Sequence, residues 1–256
     1  MKLVTWNVNS IKAREERALA WVKKHEPDVL CLQELKVVTE KFPYDAFREL
    51  GYEAAVNGQK TYNGVAILSR LDMSDVVIGM PDDAPDEQAR VISAEVEGIR
   101  VIDVYVPNGS TVGSDKWRYK LAWFERLFDH LESNHDPDAP IVLCGDFNIA
   151  PDDHDVARPE EWSNSVLCHP DARSFFRRLV DWGFEDTFRK HHPDGGVYSW
   201  WDYRQLGFPK GNGLRIDHIL ATGAVEETSR SGAIDREERK GKQPSDHAPV
   251  IVDFDW

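Results

Sequence analysis

The sequence predicts an α/β fold of four layers, two mixed β-sheets packed face to face with helices outside. Two observations carry this. The chain runs twice through one order: strand, Asn-bearing loop, helix, then a buried apolar run closed by an acid. The pair Glu97-Gly98, between two strand-like runs, reads as a tight hairpin turn, which adds antiparallel neighbours and makes the sheets mixed.

In the first passage residues 2–8 alternate as a strand, and Asn9-Ser10 caps a helical run through Ile11, Leu19, Val22 and His25. Pro27-Asp28 ends that helix, and Val29-Leu30-Cys31-Leu32-Gln33-Glu34 is a buried strand ending in an acid. In the second passage residues 100–106 form the strand and Pro107-Asn108-Gly109 the turn. A helix follows with apolar residues at Trp117, Leu121, Phe124, Phe128 and Leu131, closed by Pro137 and Pro140. Ile141-Val142-Leu143-Cys144-Gly145-Asp146 is again a buried strand ending in an acid. Stacked as paired sheets, the two units put both acids at one end of the sandwich. Further strands are expected at 64–69, 90–97, 215–222 and 249–255. No low-complexity linker interrupts the chain, so residues 1–256 read as one domain.

At 256 residues such a unit buries roughly 70% or more of its unfolded surface and needs no disulfide or metal staple. No apolar run approaches the ~20 residues that span a bilayer, and a strand from Lys2 onward leaves no signal peptide. Cys31, Cys144 and Cys168 are odd in number, lack zinc-site spacing, and include two inside apolar strands. They predict a reducing, cytoplasmic setting. The net charge of -14 opposes a uniformly basic nucleic-acid surface, so any such surface has to be locally basic. Three groups of cations lie near the chemistry-bearing segments: Lys116, Arg118 and Lys120; Arg204, Lys210 and Arg215; and Arg236, Arg239, Lys240 and Lys242. Ordinary surface charge is the plainer reading of them, and Glu237-Glu238 inside the last group favours it.

Five segments set polar residues at the ends of apolar strands: Trp6-Asn7-Val8-Asn9, Leu32-Gln33-Glu34, Gly145-Asp146-Phe147-Asn148, Arg215-Ile216-Asp217-His218 and Ser245-Asp246-His247-Ala248-Pro249. Singly, each Asp or Asn reads as a turn former or helix cap. Glu34 is harder to explain so, because a carboxylate closing a buried strand is costly unless paired or metal-bound. Together they describe a site of Asn, Glu, Asp and His without cysteine, a donor set that favours Mg²⁺ or Mn²⁺ over zinc.

The same segments resemble the exonuclease III branch of the endonuclease/exonuclease/phosphatase superfamily. The resemblance runs through essentially the whole chain. Besides the five segments it takes in Lys2-Leu3-Val4-Thr5, Leu35-Lys36, Val104-Tyr105-Val106-Pro107-Asn108-Gly109, Ile149-Ala150-Pro151, Tyr198-Ser199-Trp200-Trp201-Asp202-Tyr203-Arg204 and Gly213-Leu214. It implies a phosphodiesterase. Glu34 with Asn7 and Asp246 would hold the metal, and Asp146, Asn148 and His247 are further candidate ligands. Asp146 would orient or deprotonate the attacking water, and Asn148 would bond that water or the phosphate. His247, oriented by Asp217, would meet the charge building on the phosphate, and Tyr105 would contact the same phosphate as phenolate or proton donor.

The resemblance also implies a small apolar pocket at Trp200, Trp201 and Leu214 for a flipped-out abasic sugar, flanked by Arg204. Adjacent strand residues point to opposite faces, so one tryptophan is expected in the pocket and the other in the core. By the same alternation His218, where the family carries an apolar residue, turns away from Asp217. The implied partner is double-stranded DNA with abasic sites or 3′ ends, the implied state a monomer, and no membrane is involved. A phosphoesterase acting on RNA or a small phosphodiester, or a non-catalytic nucleic-acid-binding relative, are the alternatives; the tryptophan segment opposes the first and the full acid, Asn and His set the second.

Overall fold

A computed structural model of the chain describes residues 1–82 and 86–256. Twelve strands are found among the described residues: β1 (Lys2–Asn7), β2 (Val29–Gln33), β3 (Glu53–Asn57), β4 (Val65–Ser69), β5 (Met73–Ile78), β6 (Val91–Val96), β7 (Ile99–Tyr105), β8 (Ile141–Asp146), β9 (Phe184–Asp186), β10 (Asp217–Thr222), β11 (Ser229–Ile234) and β12 (Val250–Phe254). They form two six-stranded mixed sheets, ordered β11-β12-β1-β2-β4-β3 and β5-β6-β7-β8-β10-β9. At the centre of the first sheet β1 and β2 are parallel, with β12 and β4 antiparallel beside them. At the centre of the second, β7 and β8 are parallel, with β6 and β10 antiparallel beside them. The twofold near-repeat of the sequence is therefore the twofold plan of the sandwich.

Alternation along these strands sorts their side chains into layers. Leu3, Val29, Cys31, Val142, Cys144 and Val250 share the core between the sheets. The opposite parity, Val4, Trp6, Leu30 and Leu32, packs under Ala18, Trp21 and Val22 of the helix Ile11–His25. On the other outer face Ile102, Val104 and Leu143 meet the helices Asp115–Asn134 and Pro170–Trp182. Followed to the strand ends, the inward parity arrives at Asn7, Gln33, Tyr105, Asp146 and Asp217. The same alternation that fills the inner core brings Asn7, Tyr105, Asp146 and Asp217 to the mouth between the sheets, with Gln33 buried beneath them.

The hairpin at Glu97-Gly98 joins Val96 to its partner Ile99, with φ of 49° and 79° at the two turn residues, the left-handed pair that a twisted two-residue hairpin requires. The helix Asp115–Asn134 is turned from its expected stripe. It buries Lys120, Trp123 and Leu127 with Trp117, Phe124 and Leu131, while Leu121 and Phe128 are only partly covered.

Gly145 governs how closely β7 and β8 approach. It has φ of 138°, and a Cβ there would lie 1.9 Å from the carbonyl oxygen of Val104, its partner in the parallel register. Neither strand backbone can give way without moving Asp146. Gly145→Ala should destabilise the fold by ~3 kcal/mol or more, read as a fall in the urea midpoint.

Candidate active site

Three polar residues that follow strands adopt left-handed backbone: Asn9 (φ 45°), Glu34 (φ 53°) and Asn148 (φ 50°). Such conformations cost non-glycine residues about 1–3 kcal/mol and gather where surrounding structure enforces them. Here the enforcement is visible. The N–H of Ser10 donates to the carbonyl of Glu34 at 2.7 Å, and that of Val8 to Gln33 at 3.1 Å, locking the two strand ends together.

Asn7 Oδ1 accepts the N–H of Asn9 at 2.9 Å, which turns its amide nitrogen toward the mouth. That nitrogen donates to Asp146 Oδ2 at 2.9 Å and to Glu34 Oε1 at 3.3 Å, so one amide joins the acids of both sheets. Tyr105 donates its hydroxyl to Glu34 Oε1 at 2.5 Å, and Lys36 Nζ lies 2.7 Å from Glu34 Oε2. Asp146 Oδ1 accepts the N–H of Asn148 at 2.9 Å. Asn148 in turn donates to the carbonyl of Val106 and accepts from Asn108 Nδ2, both at 2.9 Å. His247 Nδ1 sits 2.9 and 3.0 Å from the two oxygens of Asp217, and its Nε2 lies 3.7 Å from Asp146 Oδ2. Ser199 Oγ donates to Asp217 at 2.5 Å, fixing the carboxylate that aims the ring.

Burial alone would lower the pKa of His247, but Asp217 and then Asp146 outweigh it and hold the histidine far above its ordinary range, as imidazolium. Asp146 is pushed up from the carboxylate range by burial, with His247 opposing and Asp217 adding to the rise. Tyr105 is also raised, first by burial and then by Glu34 and Asp146. Its hydroxyl is placed to donate to Glu34. Asp246 is lowered although burial opposes this, because His247, Asn9 and Trp200 favour its charge. Asn9 Nδ2 and Trp200 Nε1 bond its two oxygens at 2.8 and 3.0 Å.

The donor chemistry fits a hard divalent cation. Carboxylates from both sheets converge without a thiol, and the Glu34 side chain keeps 18% of its surface exposed at the mouth. Asp146, Asp217 and His247 also offer ligand atoms within 4.8 Å of one another. Asp217, however, is taken up by Ser199 and His247. Asn7 presents its N–H groups to both acids and its Oδ1 to the N–H of Asn9.

Among the expected substrate contacts, Trp200 is half-buried and bridges Leu214 and His247, with its indole on Asp246. Trp201 and Leu214 are buried at 1% and 0% exposure, so neither reaches a substrate directly. Trp201 lies against the Gly213 backbone and beneath Phe208, and is the core member of the pair. Arg204 is exposed and lines, with Lys210 and Trp162, a cleft of about 400 Å³. Trp162, which sequence reading passed over, stands edge-on to Trp200 at 5.6 Å; it sits on a four-residue helix, too short to show periodicity.

Three cations expected near phosphate are internal instead. Arg215 is buried on Asp155 and Asp186, and Arg239 on the carbonyls of Ser245 and Trp201. Lys120 donates to the carbonyls of Asn148 at 2.7 Å, Val166 at 2.9 Å and Asn108 at 3.2 Å. His218 turns away from Asp217, as alternation requires, onto Arg215 and the carbonyl of Ile149.

The sequence profile of the Endonuclease/Exonuclease/phosphatase family matches residues 4–247. The chain belongs to this family. Within the endonuclease/exonuclease/phosphatase family it is 38% identical over 266 residues to the exodeoxyribonuclease III of Haemophilus influenzae, covering 99% of this chain and 100% of that one. An AP endonuclease from Archaeoglobus fulgidus superposes with a TM-score of 0.96 at 40% identity, covering 100% of both chains. A 3′-5′ exonuclease from Neisseria meningitidis, NExo, superposes at 0.95 with 44% identity and the same full coverage. NExo is also described as a 3′ phosphatase bound to a product DNA hairpin.

Lys120 is the internal anchor of this family site, because its ammonium satisfies three loop carbonyls around Asn148. Burial pulls its pKa down to about 7, with Asp146 opposing. Lys120→Met should strand those carbonyls and cost roughly 3 kcal/mol, measured by chemical unfolding.

Proposed function

We propose that this chain is a metal-dependent DNA phosphodiesterase of base-excision repair that incises on the 5′ side of abasic sites and trims 3′ ends. The observation that carries the reading is the pairing of two differently placed acids through Asn7, with His247 held by Asp217 within 3.7 Å of one of them. Phosphodiester hydrolysis needs an aligned nucleophile, charge neutralisation on the non-bridging oxygens and help for the departing alkoxide. The names of the relatives, exodeoxyribonuclease III, AP endonuclease and 3′-5′ exonuclease, support DNA as the substrate.

Asp146 is the base. Burial makes it more proton-hungry than an exposed aspartate, and the N–H groups of Asn7 and Asn148 fix the oxygens that would receive a water proton. His247 directs its Nε2–H, as a hydrogen bond, and its positive charge at the phosphate, while Asp217 holds the other ring nitrogen. Asn148 and Asn108 line the path of the water or phosphate, and Tyr105 keeps a phenolic proton near the leaving oxygen. Glu34 with Asn7 and Asp246 would hold Mg²⁺, or Mn²⁺ in its place, with Asp146 and Asn148 as further candidates, and the bound ion would supply Lewis acidity toward the phosphate; the imidazolium of His247 has no lone pair to offer it. Trp200, with Trp162 at its edge, forms the aromatic wall that packs against an extruded deoxyribose. The reading is of a monomeric cytoplasmic enzyme acting on double-stranded DNA.

The test is one duplex carrying an abasic analogue and one intact duplex, each with Mg²⁺ or EDTA. Metal-dependent nicking at the lesion and loss of nucleotides from 3′ ends is the expected result; binding without cleavage of either duplex would sink the proposal. Asp146→Asn should lower the rate about 10²–10⁴-fold while DNA binding persists. The pH profile should be a bell. Activity rises as Asp146 loses its proton, above the pH at which an exposed aspartate does so, and falls when His247 loses its own. Asp217→Asn removes the largest charge that holds the His247 proton, so the alkaline limb should move to lower pH.

A further inference from the structure

A polar cluster lies between the sheets, directly beneath the site and outside the proposed chemistry. Thr5, Gln33 and Asp103 come from β1, β2 and β7, and all three are fully buried. Gln33 Nε2 donates to Asp103 Oδ1 at 2.7 Å, to Thr5 Oγ1 at 2.8 Å and to the carbonyl of Cys31 at 3.2 Å. Two atoms of the cluster are left over: Gln33 Oε1 and Asp103 Oδ2 are buried with no hydrogen-bond partner. Both are acceptors when Asp103 is ionised, and two orphaned acceptors on one bonded pair are a costly arrangement.

A single proton resolves both. On Oδ2 it converts an orphaned acceptor into a donor, and the remaining orphan, the carbonyl oxygen of Gln33, is the acceptor such a donor lacks. The surroundings favour the neutral acid. Burial drives Asp103 well above the carboxylate range, against the smaller opposing effects of Gln33 and the backbone N–H of Ala66 on β4. The groups facing it from β2 and β8 are the thiols of Cys31 and Cys144, which its charge would only disfavour further.

Position gives the pair its consequence. Gln33 immediately precedes Glu34, whose backbone is held at φ 53°, and Asp103 stands two residues before Tyr105, which donates to Glu34. We infer that Asp103 is a neutral carboxylic acid forming an acid–amide pair with Gln33, and that this pair is a positioning element that sets Glu34 and Tyr105 across the gap between the sheets. Neither residue touches substrate. The positioning half rests on the metal-dependent reading proposed above; the protonation half does not.

Four measurements test it. The infrared difference between wild type and Asp103→Asn at neutral pH should contain the carbonyl band of a protonated carboxylic acid; its absence overturns the neutral acid. Asn supplies an N–H where the acid supplies O–H, so Asp103→Asn should keep activity within about twofold. Asp103→Leu should lose roughly 10–100-fold in kcat and in Mn²⁺ affinity measured by calorimetry, with KM for DNA little changed. Asn as damaging as Leu, or Leu as good as wild type in Mn²⁺ binding, overturns the positioning role. Stability gives a check that survives if Leu does not fold. An Asp protonated in the fold stabilises fully below its unfolded pKa of about 4 and loses that contribution as pH rises. The Tm of wild type relative to Asp103→Asn should therefore fall from about pH 4 upward, and a constant difference counts against the proposal. If wild type cleaves neither duplex, the functional reading fails alone, while the infrared band, the Tm series and Mn²⁺ binding still decide this one.

Discussion

A single amide, that of Asn7, donates to Glu34 and to Asp146, and these acids close the central strands of different sheets. Everything at the mouth depends on that bridge. Two carboxylates so placed repel each other, and each is costly to leave in a low-dielectric gap without a donor. Asn7 lowers both costs, and its orientation is set in turn by the N–H of Asn9. The bridge is possible only because β1 is parallel to β2 and β7 to β8, so that all four strands deliver their last inward residue to the same end. Gly145 lets β8 lie close enough to β7 for Asp146 to arrive there.

The electrostatics explain how a chain of net charge -14 can carry a site for a polyanion. The cations deep in the protein are structural: Arg215 is sandwiched by Asp155 and Asp186, and Lys120 holds loop carbonyls. Few cations beside the site face outward: Arg204 and Lys210 on one cleft, and Lys116 on another that contains Tyr105, where Arg90 is buried on the Tyr105 carbonyl. The imidazolium of His247 adds a positive charge that a count at neutral histidine leaves out. The acids Glu34, Asp146, Asp217 and Asp246 still outnumber His247 and Lys36 at the mouth, so a bound cation would be needed to turn the local field toward a phosphate.

The eight inner strands were legible in the sequence because each is buried on both faces or alternates strictly. The four strands absent from that reading, β3, β5, β9 and β11, are the four edges of the two sheets. Edge strands are half-exposed, and β9 is three residues long, so neither alternation nor an apolar run marks them. The inward turn of Lys120 was hidden for a different reason. It lies three residues after Trp117 and four before Phe124, on the buried stripe, but a lysine there reads as solvent-facing until the carbonyls of Asn108, Asn148 and Val166 are brought around it. Their convergence is a tertiary fact that no helical period contains.

The two halves share one plan and have parted in chemistry because their environments differ. Glu34 sits at the rim with part of its surface exposed, beside the ammonium of Lys36 and the phenol of Tyr105. Asp146 is buried one strand pair away, under Asn7 and the N–H of Asn148, with an imidazolium near its free edge. A rim carboxylate with open lone pairs suits a cation that must keep ligands for water and substrate. A buried carboxylate whose proton affinity has been raised suits proton transfer. Exchanging the two environments would leave a base too weak to take a proton and a metal ligand too enclosed to share its cation. The division of labour proposed for the two acids therefore follows from depth in the sandwich more than from residue type, and depth is fixed by where each strand stops relative to the sheet opposite.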